Sequence, residues 1–173
     1  MNQPIPLWQA LASVFGVVIV GLIGHFIALR KYQTDLAQKN YENSMKIVET
    51  HDAAYRTYVT ALATYLENPK PTSDDFTAMV TAGDVYFNQA NSMCVCMLSG
   101  KVDPNIRDDL WIPKVRRVYE KTLPDHYDTL KSEAKKRGYP YRGELRRRDH
   151  ESIYRAAERF GTTDAWRRPH EED

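Results

Sequence analysis

The first hydrophobic pattern along the chain is a continuous apolar run near the N-terminus. Residues 7–29 contain no formal charge, and thirteen of these positions are Leu, Ile, Val or Phe. As a helix with a rise of about 1.5 Å per residue, the run would be about 34 Å long, enough to cross a hydrocarbon core of about 30 Å. The pattern therefore predicts a transmembrane helix at residues 7–29.

A cleavable signal peptide and a soluble core helix fit this run less well. A signal peptide would begin with basic residues, whereas the leader MNQPIP has none and the run ends in Leu-Arg-Lys. A soluble core helix would carry a polar stripe, and none is present. Because Arg30 and Lys31 follow the run, the positive-inside rule predicts residues 1–6 as a short extracytoplasmic leader and places the rest of the chain in the cytoplasm, at the cell (inner) membrane.

The predicted span carries small residues that would let another helix approach closely, as in small-xxx-small motifs. These candidate membrane-helix packing positions are Ala12, Gly16, Gly21, Gly24 and Ala28. A plain lipid-facing tether is the alternative. His25 is a possible intramembrane functional residue, since ionisable groups in a span are often functional. The alternatives for His25 are a neutral imidazole among the headgroups, which is favoured, and a haem ligand or proton relay.

Beyond the run, the pattern becomes amphipathic with a helical period. The predicted inward stripe of the first long helix is Tyr41, Met45, Val48, Asp52, Tyr55, Val59, Leu62 and Leu66, with Ile47, Tyr58 and Tyr65 broadening it. Asp52 interrupts the stripe, and a pair with Arg56 one turn later would explain it.

Turn and capping signals divide the rest of the chain into further helices. NPKPT at residues 68–72 ends the first helix, Thr72 or Ser73 caps a second, and Ser99-Gly100 closes it. Asp103-Pro104 begins a stretch that Pro113 and Pro124 break and that Gly138 ends. A last helix runs from near Glu144 or Asp149 to Phe160. The fold prediction is all-α: an antiparallel bundle of about four to five helices at residues 30–161, with a polar frayed tail at 162–173.

Charge is distributed unevenly along a chain whose net charge is only +1. Residues 32–113 hold 6 basic and 11 acidic side chains, whereas residues 114–148 hold 12 basic and 5 acidic ones. The candidate lipid or partner contacts are Lys135, Lys136, Arg137, Arg142, Arg146, Arg147 and Arg148. Anionic headgroups or an acidic partner would suit them, nucleic acid is the least favoured partner, and a solvated or internally ion-paired face is the alternative.

Catalytic and metal-binding signals are weak. The His–acid neighbours are His51-Asp52, His126 near Asp125, and Asp149-His150-Glu151, with no phosphate-binding loop, His-Glu-x-x-His or Glu-x-x-His motif. Cys94 and Cys96 are two apart on a predicted helix and point away from each other, so we expect free thiols. No catalytic residue, metal site or cofactor is predicted.

These patterns favour a non-enzymatic single-pass membrane protein that acts as an accessory or scaffold subunit of a larger membrane complex. Its partners would be other membrane-protein subunits or a second copy of itself, together with membrane lipid. The alternative is a membrane-tethered sensor or effector that self-associates and binds a small ligand or nucleotide among Tyr55, Tyr58, Tyr86 and Trp111.

Overall fold

The computed structural model describes the backbone of residues 7–161 and the side chains from residue 18 onward. The chain divides into two units, Met1–Lys39 and Asn40–Asp173. Helix α1 (Leu7–Glu67) contributes to both units. The predicted leader at 1–6 and the predicted tail at 162–173 lie outside the described residues.

In the second unit, α1 buries a face made of Ser44, Val48, His51, Ala54, Tyr58 and Tyr65. The predicted stripe is therefore rotated by about one residue, because Val59 and Leu66 are 40% and 54% exposed while Tyr58 and Tyr65 are buried. The cause is packing between aromatic rings: Tyr58 stacks on Tyr86, and Tyr65 meets Phe76 edge to face. Ring burial removes more apolar area from water than burial of Val or Leu, and so selects this face.

Helix α2 (Ser73–Ser99) has the predicted cap at Thr72, whose side chain accepts a hydrogen bond from the Asp75 backbone N–H while the Asp75 carboxylate accepts from the Thr72 N–H. Gly100, at φ 70°, ends the helix in the left-handed conformation. Tyr58 of α1 contacts Phe87 of α2, and Tyr65, further along α1, contacts Phe76, which lies earlier in α2. The two helices are thus antiparallel, as predicted.

The third helical stretch is continuous from Pro104 to Arg137, so the predicted breaks at Pro113 and Pro124 are wrong, and π-helical turns precede the prolines in their place. It consists of α3 (Pro104–Ile106), a π-helical turn (Arg107–Trp111), α4 (Ile112–Arg117), a second π-helical turn (Val118–Thr122) and α5 (Leu123–Arg137). Each π-helical turn directly precedes the segment that carries Pro113 or Pro124. Proline lacks an N–H and its ring clashes with the carbonyl four residues earlier, and one extra residue per turn relieves both problems.

The end of the chain returns to α2. Gly138, at φ 73°, ends α5, a loop follows, and a 3₁₀ turn (Arg147–His150) leads into α6 (Glu151–Phe160). Helix α6 packs on α2 and buries Ile153, Tyr154, Ala156 and Ala157. The first buried cluster joins all the main helices, and a second, around Tyr65, Met79 and Leu130, lies at the α1–α2 turn end of the bundle.

The described residues form helices, turns and loops without strands, so the prediction of an all-α helical bundle is confirmed. The predicted membrane span is not. Within the described residues, none of the helices has a segment that is both long enough and apolar enough to cross a membrane. The side chains at 7–17, which make up the first part of the predicted span, are outside the described set.

Candidate functional site

The most distinctive surface of the first unit is an apolar segment at residues 18–29 of α1. Its eight large hydrophobic side chains are each 45–69% exposed and occupy a little more than half of the helix circumference, and Gly21, Gly24, His25 and Ala28 occupy the rest. They are Val18, Ile19, Val20, Leu22, Ile23, Phe26, Ile27 and Leu29. We call this segment the apolar collar.

The structure places three of the five predicted packing residues in the apolar collar. Gly21, Gly24 and Ala28 are exposed, and a Cβ added at Gly21 or Gly24 would meet no atom within 4 Å. Ala12 and Gly16 lie among residues whose side chains are not described. His25 is exposed on the same segment. These positions therefore remain predictions for contact with another helix or with lipid.

In the second unit, three histidines from different elements are buried: His51 of α1, His126 of α5 and His150 of the 3₁₀ turn. The Phe87 ring of α2 contacts both the His126 ring, at 5.1 Å between centroids, and the His150 ring, at 5.9 Å. Tyr127 also contacts both of these histidines. We call His126, Tyr127 and His150 the histidine latch.

His126 occupies a closely fitted place. Its Nδ1 lies 3.2 Å from the Tyr58 hydroxyl, and its ring lies against Gly83 so closely that a Cβ there would be 2.6 Å from Nε2. The missing Cβ of Gly83 thus makes room on α2 for the His126 imidazole of α5. Burial, and secondarily the charge of His150, lowers the pKa of His126 to about 4.

His150 is held at the other end of the latch. Its Nε2 lies 3.1 Å from the Tyr127 hydroxyl, and its buried Nδ1 has no hydrogen-bond partner among the described residues. Burial lowers the pKa of His150, against a smaller opposing effect of Asp149. The geometry favours a neutral imidazole at both ends of the latch.

His51 has a different environment because a carboxylate is bonded to it. Its Nδ1 is 3.1 Å from Asp52 Oδ1, and the same oxygen accepts a 2.6 Å bond from Lys114 Nζ of α4. Lys114, and not Arg56, is therefore the partner of Asp52, and the predicted Arg56 pair is wrong. Burial lowers the pKa of His51, partly offset by Asp52, while Lys114 and His51 lower the pKa of Asp52.

The tyrosines proposed to line a ligand pocket pack against one another. The rings of Tyr58 and Tyr86 stack at 5.5 Å between centroids, and Tyr55 contacts Tyr86 at 5.3 Å. Trp111 is fully buried, and its Nε1 has no hydrogen-bond partner within the described chain. Burial raises the pKa of Tyr58 to about 12, so its hydroxyl is protonated at neutral pH.

The predicted basic segment is largely ion-paired within the bundle. Arg137 and Lys136 meet Glu133 on α5, and Arg147 bridges Glu151 and Glu158. Arg146 pairs with Glu144, and Arg148 lies 3.6 Å from Asp149. Lys135, at the end of α5, and Arg142, in the following loop, are exposed and form no ion pair with described residues. The internally paired alternative therefore describes most of this segment.

Residues that could bind a metal ion or act as nucleophiles are dispersed in the part of the chain that the structure describes. No group of three or more His, Cys, Asp or Glu there is arranged to hold a metal ion. Both cysteines are free, and burial raises the pKa of the Cys94 thiol to about 12, which keeps it unreactive. Sequence reasoning missed Tyr127 and Lys114, because their contacts join residues 23 and 62 positions apart.

Comparisons of the chain with protein-family models, with curated proteins and with solved structures give no match. A function is therefore inferred from the geometry of the apolar collar and of the bundle.

Proposed function

We propose that this protein is a non-enzymatic single-pass membrane protein whose helical bundle acts as an accessory or scaffold subunit of a larger membrane assembly. The observation that carries the proposal is the exposure of the apolar collar on every side of α1. Soluble monomers rarely expose a contiguous apolar patch larger than a few hundred Å². Lipid tails or apolar partner helices would remove this surface from water.

The neighbouring sequence supports a membrane anchor. Residues 7–17 continue the collar toward the N-terminus without a charged residue, which makes the span predicted at 7–29 part of this proposal. Arg30 and Lys31 follow at once, and the Arg30 guanidinium lies 4.9 Å from the Phe26 ring centroid. Tyr32 is 66% exposed, as suits an aromatic side chain at a headgroup boundary. The basic pair favours a cytoplasmic bundle.

Features of the bundle favour a scaffold over an enzyme or a ligand sensor. The interior tyrosines contact one another, and the one carboxylate–histidine pair found among the described residues also binds Lys114. The exposed cations Lys135 and Arg142 are the best candidates in the basic segment for contact with anionic lipid or an acidic partner. No specific observation favours the sensor alternative.

The first test is a purification of the tagged full chain from native membranes in mild detergent, after crosslinking, with mass spectrometry of the eluate. We expect a membrane-protein subunit, or a second copy of this chain, in stoichiometric amount. A chain that is monomeric in detergent and crosslinks to no membrane protein would contradict the scaffold role. The matched control is the variant Ile23→Asp, in which the collar carries a charge.

Topology has a separate test. Lys101, in the exposed turn after Gly100, is replaced by Cys, and intact cells are treated with an impermeant maleimide. We expect labelling only after the cells are permeabilised, with the native chain as the control for Cys94 and Cys96. Labelling of Lys101→Cys in intact cells would contradict the cytoplasmic location.

A further inference from the structure

The 3₁₀ turn and α6 are attached to α2 partly through polar contacts that involve the histidine latch. His150 ends the turn and directly precedes α6, with its ring against Phe87 of α2. Nearby, the Asn91 side-chain amide of α2 donates to the Asp149 carbonyl at 3.3 Å. At the other end of α6, Arg159 donates to the Leu98 carbonyl at 3.0 Å. These contacts hold the C-terminal segment, which we define as residues 147–160, on α2 at both of its ends.

Neither imidazole of the latch is bonded to a carboxylate in the described structure. His126 Nδ1 meets the Tyr58 hydroxyl, and His150 Nε2 meets the Tyr127 hydroxyl. A hydroxyl can donate to a neutral imidazole nitrogen or accept from its N–H. A protonated imidazole has two donors, and the second donor of His150 would be Nδ1–H, which has no acceptor there. Such a buried, unpaired charged donor is costly.

Three carboxylates, from α2, α5 and the turn, act on the latch or on the tyrosines that contact it. Asp84 of α2 acts on Tyr127, Asp125 of α5 acts on Tyr58, and Asp149 of the turn acts on both Tyr127 and His150. Asp149 is itself 3.6 Å from Arg148, which reduces its influence. The two imidazoles also oppose each other, because a charge on His150 disfavours a charge on His126.

We propose that the histidine latch is a proton-operated device that holds the C-terminal segment on α2 at neutral pH and releases it in acid. Release exposes the His150 imidazole to water, where it binds a proton without an unpaired buried donor, and breaks its contact with Tyr127, the neighbour of His126. It also uncovers the α2 surface that α6 covers, which would offer a partner a new apolar face in acid. This inference stands apart from the membrane proposal, since it uses only residues of the second unit.

The two states differ in how readily the latch binds protons. The closed latch resists protonation, because burial lowers the pKa of both imidazoles and brings that of His126 to about 4. His150, which the released segment carries, regains the ordinary histidine pKa of about 6.5 in water. Acidification below about pH 6.5 therefore favours release, and the proton bound only by the open form can shift the equilibrium by up to about tenfold per pH unit.

Hydrogen–deuterium exchange of the full chain in detergent, corrected for the intrinsic pH dependence of amide exchange, tests the release. From about pH 7 to about pH 4.5 we expect the opening constant of residues 147–160 to rise about tenfold or more. At the acid pH the segment should open more often than α2, whose amides should keep a lower opening constant. Equal opening constants in the segment and α2 at that pH, or no rise in the C-terminal segment, would overturn the proposal.

Paired substitutions assign the effect to the latch. His126→Asn keeps a polar group near the position of Nδ1, and His150→Gln keeps one near Nε2, but neither titrates in this range. The double variant should lose most of the acid-dependent rise, while the matched control His25→Gln, an exposed histidine on α1, should keep it. An undiminished rise in the double variant would show that the latch is not the sensor.

Native protein gives an independent check if the variants fail to fold. Ring resonances in an NMR titration should show His150 taking up a proton together with the loss of exchange protection at residues 147–160. Titration of the His150 ring near its ordinary pKa, with the segment still protected, would overturn the proposal.

Discussion

Two stretches of α1 differ in what covers them. In the apolar collar at 18–29, every residue is exposed, and all of them except His25 are apolar or small. At residues 44–65 the same helix buries one face of Ser44, His51, Tyr58 and Tyr65 against other elements and leaves the opposite face mostly polar. Both stretches are helical, so helix formation alone does not separate them.

The two stretches therefore find their apolar surroundings in different places. An amphipathic stripe is satisfied within its own domain, because the bundle supplies the partner side chains. A helix that is hydrophobic on every side needs apolar surroundings on every side, which one packed face cannot provide. Substitutions in each stretch measure how much its side chains contribute to the stability of the bundle.

The largest expected effect comes from the buried stretch. Tyr58→Ala removes a ring that stacks on Tyr86 and a hydroxyl that meets His126. We expect the free energy of unfolding to fall by about 3–5 kcal/mol, as for other buried aromatic residues. Urea unfolding of the full chain in detergent, followed by circular dichroism, measures it, and a loss below about 1 kcal/mol would contradict the burial of this ring.

A smaller loss is expected where α2 meets α5. Gly83→Ala would place a methyl group against the His126 ring, which Tyr58 and Phe87 already confine. Overpacking of this kind costs about 1–3 kcal/mol, which exceeds the gain of up to about 1 kcal/mol in helix propensity. Thr81→Ala on the exposed face of the same helix is the control. A Gly83→Ala variant as stable as the native chain would mean that His126 moves freely.

Stability should depend on pH through the buried histidines. The pKa of each buried histidine is lower in the folded protein than in the unfolded chain. The unfolded chain therefore binds protons first as the pH falls. The free energy of unfolding should therefore be constant above about pH 6.5 and decrease toward about pH 4, by at most about 1.4 kcal/mol per pH unit for each histidine. Stability that increases over this range, measured by urea unfolding, would contradict neutral buried imidazoles.

The smallest effect is expected in the apolar collar. Ile23→Ala removes a side chain that is 54% exposed and should change the unfolding free energy of the bundle by less than about 0.5 kcal/mol. The same urea experiment in detergent measures it. A loss comparable to that of Tyr58→Ala would mean that the collar is part of the folded core, and the contrast between the two stretches would be wrong.

Local signals in the sequence predicted the ends of the elements well. Thr72, Asp103, Gly100 and Gly138 act within a few residues of their own position, through caps and left-handed glycine conformations. Short-range physics is sufficient for these features.

Features that depend on distant partners were not predicted. The rotation of the α1 stripe toward Tyr58 and Tyr65 follows from rings on α2 that the α1 sequence does not show. The Lys114 partner of Asp52 and the contact of Tyr127 with His150 likewise join separate elements. Hydrophobic periodicity locates a helix face to within about one residue, but side-chain size and partner geometry decide the final rotation.

Membrane flotation shows directly whether the apolar collar holds this protein in a membrane. The full chain and the variant Val20→Asp/Ile23→Asp are expressed, and membranes are washed with alkaline carbonate and floated on a density gradient. A matched control, Thr64→Asp, carries its charge on the exposed face of α1 in the bundle. We expect the native chain and Thr64→Asp to float with the membranes and the collar variant to remain at the bottom. A native chain that stays at the bottom with the collar variant would contradict the membrane proposal.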